Sequence, residues 1–129
     1  MTSALSVVDS SAWLEFFAAG PNAESFAPVI EELEGLLVPT ITIVEVYKRL
    51  LAQRGAEVAQ KSAALMVQGR VVPLDEVLAI EAATLGHVEQ LALADSIILA
   101  TARRHGATVW TMDAHFQRFG DVRYFARSA

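Results

Sequence analysis

Four carboxylates, Asp9, Glu45, Asp95 and Asp113, stand where apolar runs give way to turns and new helices. Asp9 closes the Val-rich run LSVVD. Asp113 follows ATVWT. Glu45 lies just after LLVPT, at the start of the helix TIVEVYKRLLAQRG, and Asp95 opens DSIILATARRHG. Residues that follow parallel strands share one edge of a sheet, and so do the starts of the helices that come next. Asp9, Glu45 and Asp113 can therefore converge. Asp95 fits less directly, because a loop separates it from the preceding strand. Carboxylates gathered in this way repel one another unless a cation stands among them, and oxygen-only ligands favour a hard ion, Mg2+ or Mn2+.

Each acid also has an ordinary duty open to it. Asp9 and Asp95 could cap the helices that follow them. Thr42-Ile43-Val44-Glu45 has the S/T-x-x-E form of a capping box, and Asp113 could be a turn residue. Taken singly, these duties are the better reading. Taken together they weaken, because capping gives no reason for four acids to share one edge.

The elements that must position the acids can be read from periodicity and stop signals. Strands are expected at LSVVD, LLVPT, RVVPL, ATVWT and, at the edge, VRYF. Between them lie the helices SSAWLEFFAAG, AESFAPVIEELEG, TIVEVYKRLLAQRG, AEVAQKSAALMVQG, DEVLAIEAATLGHVEQLA and DSIILATARRHG, then a short helical turn HFQRFG. Gly20-Pro21 is expected to stop the first helix, and Gly55 and Gly106 to stop two later ones. Glu31, Glu32 and Glu34 lie at the wrong end of the second helix for its dipole, and Gly86 is a weak point in the fifth. Strands alternating with helices indicate an α/β fold with a mainly parallel sheet, and 129 residues suggest one domain over 1–129.

Composition narrows the classes further. Apolar residues make up 53% and charged residues 19%, which suits a packed core and excludes a disordered chain. The mean hydropathy of +0.38 is high for a small soluble domain, a sign of a dimer face or partner groove. No apolar run reaches the ~18 residues of a membrane span, and MTSALSVVDSS lacks the form of a secretory leader. The absence of cysteine removes disulfides and thiol chemistry, as suits a cytoplasmic protein. A net charge of −5 argues against broad phosphate-backbone binding but permits a local basic strip.

Three stretches, VVDSSAWL, VPTITIVEVYKRL and LADSIILATARRHGATVWTMDAHF, resemble the PIN-domain ribonucleases, and more narrowly the VapC-type toxins of toxin–antitoxin pairs. They come in that family's order and together span nearly the whole chain. The resemblance implies a three-layer α/β fold, with a mainly parallel sheet between helices. It implies Asp9, Glu45, Asp95 and Asp113 as catalytic metal ligands, with Thr111 and Ser10 or Ser11 as supporting hydroxyls. It further implies Mg2+-dependent RNA cleavage by water, leaving 5′-phosphate and 3′-hydroxyl ends, inhibition by a cognate antitoxin, and a homodimer.

Other residues are candidates of lower rank. Lys48 and Arg49 lie three and four positions after Glu45, on its helix face, where they could meet phosphates or simply face solvent. His115, two residues past Asp113, could touch substrate or be a surface residue. Arg118 and Arg123 are weaker still, and His105 suits a helix C-terminus. Trp13 and Phe17 read as core, with Phe16 open to a partner groove. Two other classes compete: a catalytically silent PIN-like module that binds RNA or protein, and a phosphatase or receiver-like domain. Four retained acids argue against the first. The second lacks a phospho-acceptor pattern with a partner lysine.

Overall fold

A computed structural model describes residues 4–127; residues 1–3, the start of the N-terminal segment read above, and residues 128–129 lie outside the described residues. Five strands, β1 (Ser6–Val8), β2 (Leu36–Pro39), β3 (Arg70–Val72), β4 (Thr108–Thr111) and β5 (Val122–Tyr124), form one sheet in the order β3-β2-β1-β4-β5. All four pairings are parallel. Six helices accompany them: α1 (Ser10–Phe17), α2 (Ala23–Glu31), α3 (Thr40–Arg54), α4 (Ala56–Met66), α5 (Glu76–Glu89) and α6 (Leu93–His105).

The three central strands are apolar at successive positions because both sheet faces are covered. Val8, Leu36 and Val38 turn to one face, where they meet Trp13 of α1, Phe26 and Ile30 of α2, and Val46 and Leu50 of α3. Val7, Leu37 and Val109 turn to the other, against Ile98, Leu99 and Ala102 of α6. Helix α5 packs outside α6 through Leu78 and Ala82, which meet Ile97 and Ala100. Among the described residues no single helix is long and apolar enough to cross a membrane.

The chain leaves β1 for β2 and β3 on one side and returns to β4 on the other. Neighbouring connections therefore diverge at the carboxyl ends of β1 and β4, and a crevice opens there, as at the switch point of any open parallel sheet. Asp9 follows β1 and Asp113 lies just past β4, one on each side of that crevice.

Several element ends differ from expectation, each for a local reason. Helix α1 stops at Phe17, short of Gly20, and Ala19 takes the left-handed turn with φ 52°. Helix α2 ends at Glu31, and Leu33–Gly35 continues as a 3-10 turn. Helix α3 starts at Thr40, with Pro39 as its N-cap, so Thr42 is already inside the first turn. The Thr42 hydroxyl donates back to the Pro39 carbonyl at 2.7 Å, and the capping box with Glu45 is not made. Helix α6 starts at Leu93 with Ala92 as N-cap, so Asp95 is not the cap and its carboxylate stays free of that duty. Gly106 ends α6 in the left-handed conformation, φ 65°, as its sequence position suggests. Gly86 is a contact, not a weak point: a Cβ there would lie 2.4 Å from Ser96 Oγ, so only glycine lets α5 approach α6 this closely.

Candidate functional site

Asp9 caps α1 and also faces the crevice. It is buried, and its carboxylate accepts from Ser11 Oγ at 2.6 Å, Thr111 Oγ1 at 2.6 Å and Ala12 N at 3.1 Å. Desolvation dominates and raises its pKa above the usual carboxylate range, although the three hydrogen bonds pull the other way; the nearby Asp113 charge adds to the rise. The two hydroxyls are fixed in turn. Ser11 Oγ accepts from Met112 N at 3.0 Å, and Thr111 Oγ1 from Asp113 N at 2.8 Å. The turn after β4 and the first turn of α1 are thereby locked together through Asp9.

The other acids arrive from three further elements. Glu45, in the second turn of α3, accepts from Ser10 Oγ at 2.6 Å. The two serines therefore divide the work: Ser10 orients Glu45 and Ser11 orients Asp9. Asp95 sits in the first turn of α6, where the helix dipole favours a negative charge. Its pKa is nevertheless pushed up to about 6, by burial first, then by the charges of Asp113 and Asp9, with His115 opposing and Glu45 adding a smaller rise. Asp113 precedes the 3-10 turn Ala114–Phe116 and accepts from His115 N at 2.9 Å.

That turn folds the His115 ring back over the acids. Its Nδ1 lies 3.2 Å from Asp113 Oδ1 and 3.8 Å from Asp95 Oδ2. One ligand atom from each of Asp95, Asp113 and His115 falls within 4.8 Å of the others, a spacing one cation could bridge. Asp9 and Glu45 line the same cavity of about 420 Å³ without joining that tightest group. The donor set fits a divalent cation: carboxylates from four elements, two of them raised in pKa, converge, and among the described residues no arginine lies within ion-pair distance of them.

Of the basic candidates, Lys48 and Arg49 are both exposed; Arg49 lines this cavity and Lys48 does not. Arg118 pairs with Glu89, and Arg123 lies over the Trp110 ring. His105 Nδ1 lies 3.0 Å from the Thr101 carbonyl, within its own helix end. Trp13 is fully buried, and Phe16 and Phe17 are half-buried against it. Sequence reasoning did not single out Arg54 and Arg127, which also line the cavity. Arg54 stands nine residues after Glu45, beyond the reach of an adjacent-turn argument, and Arg127 arrives only because the chain end folds back.

The PIN domain family model matches residues 6–122. No curated protein sequence matches the chain. Similar solved structures include a toxin–antitoxin complex from Klebsiella pneumoniae, at 20% identity and TM-score 0.79, covering 97% of this chain and 100% of that one. VapC20 of Mycobacterium tuberculosis, described as a sarcin-ricin loop cleaving toxin, shares 20% identity at TM-score 0.75, over 92% of this chain and 98% of that one. FitAcB from Neisseria gonorrhoeae shares 22% identity at TM-score 0.66, over 94% and 96%. These likenesses are of fold. The family match spans most of the sequence, from β1 to the first residue of β5, and takes in all four acids: the chain belongs to the PIN domain family.

Proposed function

We propose that this protein is a Mg2+- or Mn2+-dependent endoribonuclease, the toxin of a toxin–antitoxin pair, with Asp9, Glu45, Asp95 and Asp113 as its metal-holding acids. The observation that carries the reading is the convergence of those four carboxylates in one cavity at the sheet's switch point. Bound there, the cation would neutralise a phosphodiester, lower the pKa of a water and stabilise the leaving oxygen.

The chain's own residues supply position and charge. Asp9 cannot swing, because three donors hold its two oxygens. Ser10 fixes Glu45 Oε1. Both serine hydroxyls donate to carboxylates and so orient them; the proposed nucleophile is water. Arg49, one turn beyond Glu45 on α3, is placed to meet a substrate phosphate. His115 Nδ1, beside Asp95 and Asp113, would either join the ligands or face the substrate.

The partner readings rest on the family and on the surface. Toxin–antitoxin assemblies recur among the similar structures. Large apolar side chains left exposed on α3 and α5, among them Val44, Leu51, Val77, Ile80 and Val88, suit a homodimer and an antitoxin contact. A cytoplasmic location accords with an RNA substrate.

The test is cleavage of purified RNA in Mg2+ and in EDTA, with the new ends identified chemically. Products with 5′-phosphate ends, formed only with the metal, are expected. Cleavage in EDTA or cyclic phosphate ends would exclude the metal chemistry. No cleavage of any RNA would favour a silent binding module.

A further inference from the structure

The cavity at the acids extends as a groove between α1 and α3. Its α1 wall carries Ser10, Leu14 and, at the C-cap, Ala18, and its α3 wall carries Glu45, Arg49 and Gln53, each set rising by four residues. Such rows run along a helix axis. At 1.5 Å per residue, the Cα of Arg49 lies about 6 Å and that of Arg54 about 13.5 Å beyond Glu45 along α3. Arg54 starts from the opposite face of α3 and reaches the groove through its long side chain. The acids stand at the start of the groove and guanidinium groups along its length.

Three arginines line this cavity: Arg49, Arg54 and Arg127. Among the described residues none of them lies within ion-pair distance of a carboxylate, whereas Lys61, Arg103, Arg104 and Arg118 all do. Arg54 is aimed: its Nη1 donates to the Phe17 carbonyl at 3.3 Å, at the end of α1. Arg127 is brought in by its neighbour, since Asn22 Nδ2 holds the Ala126 carbonyl at 3.0 Å. Glu15, the remaining acid of the groove, is engaged by Asn22 N at 2.8 Å. The arginines thus leave the catalytic acids unneutralised and keep donors for another anion. Guanidinium forks match phosphate oxygens.

We propose that this groove tracks a single RNA strand, with one phosphate at the acids and the following phosphates on Arg49 and then on Arg54 with Arg127. The proposal rests on the RNA-cleaving reading above and gives it a direction, from the helix starts toward their ends. Three guanidinium groups set beyond the acids suit the repeated phosphates of a nucleic-acid backbone better than a single carboxylate of a protein segment. Helices α1 and α3 pack against each other, and packed helix axes lie about 8–10 Å apart, so the groove between them suits one strand.

The test is fluorescence anisotropy of labelled tetrauridylate with the Asp9→Asn protein, which should leave the strand uncut. Arg54→Gln and Arg127→Gln, each added to that background, should weaken binding by about tenfold. Each should also lower the log–log salt slope by about 0.7, the value for one lost phosphate contact on a single strand. Arg70→Gln, on the exposed edge strand away from the groove, should change nothing. Tetrauridylates carrying one neutral methylphosphonate at a time then give the direction. Neutralising one end linkage should abolish the effect of Arg54→Gln and Arg127→Gln, and neutralising the linkage at the acids should not. The proposal is overturned if the arginine effects are equal whichever linkage is neutral, if they are absent, or if a tetraglutamate peptide competes as well as RNA. Should Arg54→Gln disturb the end of α1, Arg127→Gln decides alone. Metal-dependent cleavage by the wild type is scored separately, so the nuclease reading can fail without deciding this result.

Discussion

Asp95 is an acid whose charge the fold resists. Its pKa of about 6 lies above the unfolded value, so the folded protein binds this proton more tightly than the unfolded chain does. The stability it contributes is complete below the unfolded pKa, near 4, and is lost as pH rises through about 6. In EDTA, Asp95→Asn should therefore melt close to wild type near pH 4 and above it at pH 7. Melting curves across that range check this, and a difference independent of pH would contradict it. Glu45 poses the complementary question, since Ser10 can donate to an amide oxygen as well as to a carboxylate. Glu45→Gln should melt near wild type in EDTA. It should gain much less from Mg2+ than the roughly 2.7 kcal/mol expected at a hundred times Kd. Thr42→Ala loses a buried 2.7 Å bond, so it should lower stability by about 1 kcal/mol with and without Mg2+ and keep the metal increment. Calorimetry of both variants separates the two. That Asp9, Glu45 and Asp113 would share one cavity was legible in the sequence, because each lies just past a strand or near the start of the helix that follows one. The place of His115 against Asp95 and Asp113 was not, because one 3-10 turn sets it and no periodic pattern encodes that turn.

At the scale of elements, α6 carries Asp95 next to Ser96, and Ser96 is where α5 touches it. Ser96 Oγ donates to the Ala92 carbonyl at 2.8 Å and lies against Gly86. In an exposed helix, Gly→Ala would stabilise by about 1 kcal/mol. Here Gly86→Ala should destabilise by about 1–3 kcal/mol, because the new Cβ must push α6 away. It should also slow cleavage by shifting Asp95. Adding Ser96→Ala should recover part of both losses, a coupling that a double-mutant cycle reads directly. Additive losses would mean that the two helices do not meet there. The elements themselves were largely legible, because apolar runs and glycine stops mark them without tertiary help. Their starts were less so. Pro39 and Ala92 cap α3 and α6 without side-chain bonds, so the nearest Thr and Asp in the sequence drew a role they do not play.

Over the whole molecule, a parallel sheet with β1 at its centre sends one connection to each side, and the acids gather where those connections part. The fold class follows from the alternation of strands and helices. The joining of Asp95 to the other acids needs the three-dimensional path of α6, which sequence spacing does not show. The central claim is that these four carboxylates form one metal-dependent nuclease centre. It is tested most directly by the rate of RNA cleavage in Mg2+ for wild type, Asp9→Asn and Asp95→Asn, each verified as folded by circular dichroism. Loss of groups that merely orient metal ligands costs about 10–100-fold, so loss of a ligand itself should cost at least about a hundredfold. Both variants should fall by that much while remaining folded, and wild type should fall equally in EDTA. Folded variants that cleave at the wild-type rate would contradict the account.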